Sequence, residues 1–158
     1  KLKVIKDQRK QQAVERIDER INSINKIRTD RFLKLLEKFE DFLDRISARA
    51  DLLEKEGKNV IGVRAGVSGA ESAITASRSA IEEQSKKIYK IIITTEGNLG
   101  KDVSMSVRAR QNDLKIVEET VKKAHEAVKK ALSALKLIGV SSGGSTATTT
   151  TATTTSGQ

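Results

Sequence analysis

Between Val60 and Ile92 the interior-type positions recur in alternating steps of three and four: Val60, Val63, Val67, Ala70, Ile74, Ser77, Ile81, Gln84, Ile88 and Ile91. Such spacing is the seam of a coiled-coil-like helix, because a 3.5-residue repeat returns the chain to one face. A second row beside it, Gly62, Gly66, Gly69, Ala73, Ala76 and Ala80, holds only small residues. Glycine costs roughly 1 kcal/mol against alanine inside a helix. Three glycines on one face therefore predict close helix packing, with added dispersion contacts offsetting the cost. A helix with two such faces belongs in the middle of a bundle.

The same rhythm flanks this stretch. Upstream, Val14, Ile17, Ile21, Ile24, Phe32, Leu35 or Leu36, Phe39, Leu43, Ile46, Ala50 and Leu53 predict a helix over about residues 2–56. The slip between Ile27 and Arg31 reads as an inserted four-residue step, which locally unwinds a supercoil. Phe32, Phe39 and Phe42 follow it and read as the thickest core layers. Gly57 is a C-terminal stop, and Asn59 can cap a second helix over about residues 60–94. Residues 94–101, TTEGNLGK, read as a turn. Asp102 then reads as the N-cap of a third helix over about residues 103–138, ended by Gly139. Ser77, Gln84 and Arg110 are the polar exceptions in the seams, of the kind that fixes register at some cost in stability. The run YKIIITT, residues 89–95, has strong β propensity and is able to leave the second helix early.

These elements predict an all-α fold: an elongated, coiled-coil-like antiparallel three-helix bundle over residues 1–138. The short link at Gly57 makes the first two helices antiparallel neighbours. Helices two and three should each span roughly 35 residues, or about 53 Å at 1.5 Å per residue. The first is longer by about twenty residues, so residues 1–18 are expected to project as an N-terminal helical arm carrying Leu2, Val4, Ile5 and Val14. Apolar side chains contribute roughly 1.5–3 kcal/mol each when fully buried, which marks the arm as a self-association site. Residues 139–158 form an uncharged Ser/Thr/Gly tail. Its Thr148, Thr150, Thr153 and Thr155 are expected to lie extended along a neighbour. Head-to-tail contacts that do not close into a ring build filaments.

Composition narrows the chemistry. Proline is absent, which suits long uninterrupted helices. Cysteine is absent too, which removes disulfides, thiolate metal sites and Cys nucleophiles. His125 is the single histidine, so a zinc site of the usual kind lacks its ligands. No G-x-S-x-G elbow supports a Ser nucleophile, and GNLGK at residues 97–101 lacks the full phosphate-loop pattern. Catalytic, cofactor-binding and metal residues are accordingly assigned to none, and neither an enzyme nor a small-molecule substrate is expected. The net charge is +9, with clusters of Lys and Arg in residues 1–16 and from Lys101 onward. That excess attracts anionic surfaces, whereas an aromatic stacking set for nucleic acid is missing. No apolar run reaches transmembrane length. The sequence starts with Lys, which reads as a processed or truncated product with any signal peptide removed.

The stretches AVERIDERINSINKI (residues 13–27) and LLEKFEDFLDRISARADLLEKEGKNV (residues 35–60) resemble exported helical proteins of candidate-phyla, ultrasmall bacteria. The resemblance covers about Val14 to Ile92, excludes the Thr-rich tail and assigns no site residue. It implies an extracytoplasmic structural role. The expected function is a non-enzymatic, extracellular or cell-surface subunit that forms homo-oligomers or homopolymers, such as a filament or sheath, through arm and tail. A cytoplasmic location is compatible with the same residues. The alternative is a basic helical module that binds polyanions, either nucleic acid or acidic envelope polymers.

Overall fold

A computed structural model describes the backbone of residues 5–141 and the side chains of residues 5–138. Three long helices pack against one another: α1 (Gln8–Lys55), α2 (Ile61–Ser85) and α3 (Leu99–Ser141), with a short 3-10 turn at Glu96–Asn98 before α3. Cross-helix pairs fix the directions. Arg64 meets Asp51 and Glu54 while Arg78 meets Glu40, so α2 runs antiparallel to α1. The Ser77 hydroxyl donates to the Thr120 carbonyl at 2.8 Å, and Gly66 lies against Ala131, so α3 runs antiparallel to α2. The architecture is the helical bundle that the seams predict.

Local chemistry explains the first turn. Gly57 has φ +78°, a backbone shape that costs glycine little. Its N–H donates to the Glu54 carbonyl and the Lys58 N–H to the Leu53 carbonyl. This pair of bonds is the Schellman ending, which satisfies carbonyls a helix terminus leaves open. Asn59 Oδ1 then accepts from the Ile61 N–H at 3.1 Å and opens α2.

Two apolar clusters share the interior. One is built from α1, α2 and α3 around Leu36, Leu43, Val63, Ile74, Ile81, Val121 and Ala124. The other gathers Ile5, Val14, Ile21, Tyr89, Ile91 and Ile93. Its form departs from the predicted bundle. α2 stops at Ser85, nine residues short of the expected boundary, and residues 87–95 are non-helical and end with Thr95 in extended backbone. The β-branched run Ile91, Ile92, Ile93, Thr94 and Thr95 disfavours the helix, as the sequence warned. Nine extended residues span about 30 Å, against about 14 Å for nine helical ones. This strap therefore reaches far down α1, with its side chains alternating at period two: Tyr89, Ile91 and Ile93 are buried, while Ile88 and Ile92 are exposed.

The predicted arm is consequently not an arm. Residues 5–7 precede α1 in non-helical backbone, and Ile5 is 1% exposed and Val14 5% exposed, both packed beneath the strap. Leu2 and Val4 lie outside the described residues. The length mismatch that suggested a projecting helix is taken up by the strap. Two boundaries of α3 also move: it begins at Leu99, and it passes through Gly139 to Ser141. Thr148, Thr150, Thr153 and Thr155 lie outside the described residues.

Candidate functional site

The two clusters meet at a layer of polar side chains. In α1 the buried positions run Ile21, Asn25, Thr29 and then Leu36, so successive four-residue steps turn two polar residues inward. Ile27 is left 47% exposed. Asn25 reaches across to the end of α2, where its amide donates to the Gln84 carbonyl at 3.0 Å and the Lys87 carbonyl at 3.3 Å. The Gln84 carbonyl also accepts from the Lys87 N–H at 3.1 Å, so Asn25 adds a second bond where the helix ends. Gln84 returns the contact, donating to Asn25 Oδ1 at 2.8 Å and to the Tyr89 hydroxyl at 2.6 Å. Tyr89 in turn donates to Asp113 Oδ2 at 2.7 Å, and Lys87 Nζ sits 3.0 Å from the same oxygen.

The strap has no neighbouring strand among the described residues, and side chains supply its hydrogen bonds. Asn22 acts as a strand surrogate: its amide donates to the Tyr89 carbonyl and its Oδ1 accepts from the Tyr89 N–H, each at 2.8 Å. Asp18, one turn earlier, accepts from the Ile91 N–H at 2.8 Å. Asp18, Asn22 and Asn25 are spaced by four and three residues and so share one face of α1. At the far end, Asp102 accepts from the Thr94 N–H and hydroxyl at 2.8 and 2.9 Å. Asp102 thus fastens the strap from within the first turn of α3 and is not the N-cap that the sequence suggested. Lys10 pairs with Glu96 at 2.7 Å and closes the end.

Burial pushes the Tyr89 hydroxyl up to about 12, and its hydrogen bond to Asp113 acts in the same direction against the opposing bond from Gln84. Asp113 is held below the usual carboxylate range, first by the Tyr89 hydroxyl and then by Lys87. Both groups are thereby stabilised in the forms they carry at neutral pH. They serve as hydrogen-bond donor and acceptor, which is a structural assignment.

Two surfaces are left open. On one, Ile92 of the strap lines a shallow cavity with Met105 and Ala109 of α3; Ile116 follows on the same face of that helix at helical spacing, and Ile88 of the strap is exposed as well. Met105 is 62% exposed and Ile92 71%. The other is a groove between α1 and α3 on the side away from α2. Its adjoining halves have volumes of about 360 and 350 Å³ and share Arg28, Phe32, Glu118 and Lys122. Phe39 stacks on His125 at one end, with ring centroids 5.4 Å apart and planes at 18°. Phe32 and Phe39 are half-buried and Phe42 is 37% exposed, so the phenylalanines border a surface instead of filling the thickest core layers.

The small-residue row divides in the same way. A Cβ on Gly66 would lie 2.9 Å from the Ala131 Cα, so this glycine permits the close approach of α2 and α3. Ala73 and Ala80 are half-buried. Gly62, Gly69 and Ala76 are exposed, and a Cβ on either glycine would meet nothing within 4 Å. Close packing is therefore confined to part of the predicted row. Gln84, Ser77 and Arg110 are buried as their seam positions require, at 2%, 0% and 7% exposure. Sequence reasoning missed the clamp of Asp18, Asn22, Asn25, Tyr89, Asp102 and Asp113. Its signal was the run of polar residues at helical spacing opposite a segment of period two.

Among the described residues no group of three or more His, Cys, Asp or Glu side chains is arranged to hold a metal ion. No described helix is long and apolar enough to cross a membrane. Comparison with protein-family models, curated proteins and solved structures finds no match.

Proposed function

We propose that the protein is a non-enzymatic structural subunit whose function is association with further copies of itself. The observation that carries this reading is the exposed apolar patch where Ile92 meets Met105, both more than 60% exposed, with Ile116 on the same face of α3 and Ile88 on the strap equally uncovered. Large apolar side chains in a patch favour a protein neighbour over water. The buried polar groups support the same reading, because the clamp engages them in holding the strap. The arm does not enter the mechanism, since Ile5 and Val14 are already covered within the chain. Placing the subunit outside the cytoplasm, in a filament or sheath, rests on the resemblance of residues 14–92 to exported helical proteins.

Light scattering coupled to size exclusion tests the reading. The full chain is expected to run as an oligomer or polymer at physiological salt, and Ile92→Lys with Met105→Lys is expected to return it to monomer with its helical content intact. An assembly unchanged by the double substitution, or a parent chain that is monomeric at high concentration, would overturn it.

A further inference from the structure

We propose that the groove between α1 and α3 binds a small organic anion: a phosphate or carboxylate joined to an aromatic or aliphatic body. The anchor is Arg110. It lines the groove and is 7% exposed, yet its Nε–H has no hydrogen-bond partner among the described residues. Burial of an ionised group is unfavourable unless it is paired and hydrogen-bonded. The natural partner would be Asp113, one turn further along the helix, but that carboxylate is engaged by the Tyr89 hydroxyl and Lys87. Arg110 therefore sits in the core seam with no paired counter-charge among the described residues.

In the rest of the groove cations outnumber carboxylates. Arg28 and Lys115 line it without an ion pair among the described residues. Glu118 and Glu119 also line it and share Lys122, at 3.4 and 3.0 Å, which offsets one of their two charges and leaves the lining with Arg28, Arg110, Lys115 and Lys122 against two carboxylates. Three cations thus converge on one cavity, and a guanidinium fork matches the oxygens of a phosphate or carboxylate. The half beyond Arg110 is mainly apolar, lined by Phe32, Leu35, Phe39 and Val121, and Phe32 is shared between the two halves. Each half falls within the range of small-ligand pockets, about 300–1,000 Å³. A charged head beside an apolar trough fits an anion with an apolar body better than a free ion. This site is independent of the self-association patch, which lies on the strap and on a different face of α3.

Isothermal titration calorimetry on the full chain at low salt tests the site. Phenyl phosphate and sodium decanoate present the two head groups, inorganic phosphate presents a head alone and benzyl alcohol a body alone. Saturable one-to-one binding is expected for phenyl phosphate or decanoate, at least ten-fold tighter than for either single-part probe, and the stronger of the two identifies the head group. Arg110→Gln should weaken it ten-fold or more. Arg108→Gln, an exposed cation outside the groove, should change it less than two-fold. Arg28→Gln and Lys115→Gln, at exposed positions, should each weaken it about three-fold and keep the test open if Arg110→Gln fails to fold. Absence of saturable binding by both two-part probes would overturn the proposal. So would inorganic phosphate binding as tightly as phenyl phosphate, or affinity that the groove substitutions leave unchanged.

Discussion

The two halves of this molecule solve one problem in different ways. Around Leu36, Ile74, Ile81 and Val121, three helices bury a dry aliphatic interior whose layers follow a 3.5-residue repeat. Around Ile5, Val14, Ile91 and Ile93, only two helices are present and an extended strap takes the place of the third. A helix brings its own backbone hydrogen bonds; a lone extended segment does not. The strapped half must therefore supply partners from side chains, and Asp18, Asn22, Asn25 and Asp102 do so. The dry half depends on volume, and the strapped half depends on a few directed bonds. Substitutions that change one quantity should be felt mainly in that half.

The largest effect is expected in the dry half. Leu36 has no exposed surface, and Leu36→Ala should cost about 2–5 kcal/mol through lost burial and the cavity left behind. Chemical denaturation should show that loss as a lower midpoint of the whole transition. The strapped half should respond to pH instead. Tyr89 has its folded value raised above the ordinary 10.0, to about 12. Its contribution is fully present below pH 10 and is lost as the pH rises from 10 to 12. A shift of that size corresponds to roughly 2–3 kcal/mol, at about 1.4 kcal/mol per unit. Lysines titrate in the same range, so the measurement is the difference between the parent chain and Tyr89→Phe, whose stability should fall less over that interval.

Removing one clamp should have a smaller, local effect. Asn22→Ala strips both the Tyr89 N–H and its carbonyl of their partners, at a cost of about 1–3 kcal/mol. Limited proteolysis should then cut within residues 87–95 while α2 and α3 stay protected. Cleavage spread over the whole chain would show that the halves are not separable. The smallest contrast lies within the small-residue row. Gly69→Ala adds a methyl group into open space and should stabilise by roughly 0.5–1 kcal/mol. Gly66→Ala presses a methyl group toward the Ala131 backbone, 2.9 Å away, and should destabilise the α2–α3 contact. Thermal melts of the two variants should move in opposite directions.

The dry half was legible in the sequence because its signal is a repeat. Every layer from Leu36 to Leu53 and from Val60 to Gln84 falls where the three-four spacing places it, and the turn at Gly57 carries its own chemistry. The strapped half was hidden for a specific reason. Ile88 and Ile91 continue the helical seam on paper, and Tyr89, Ile91 and Ile93 also satisfy a period of two. A run of isoleucines fits both, and only the polar face of Asp18, Asn22 and Asn25 distinguishes them. Reading the helix alone left Ile5 and Val14 bare and produced an arm. The groove was hidden because Arg110 looked like a register-setting exception, and its lack of a partner becomes visible only when Asp113 is seen to be occupied.

Amide hydrogen exchange at residues 89–92 tests the strap most directly. The Tyr89 and Ile91 N–H groups donate to Asn22 and Asp18, while those of Lys90 and Ile92 have no partner among the described residues. Slow exchange at Tyr89 and Ile91 alternating with fast exchange at Lys90 and Ile92 is the predicted result. Uniform protection across the four amides would mean a continuing helix, and uniformly fast exchange would mean an unbound segment. Either of those would contradict the account.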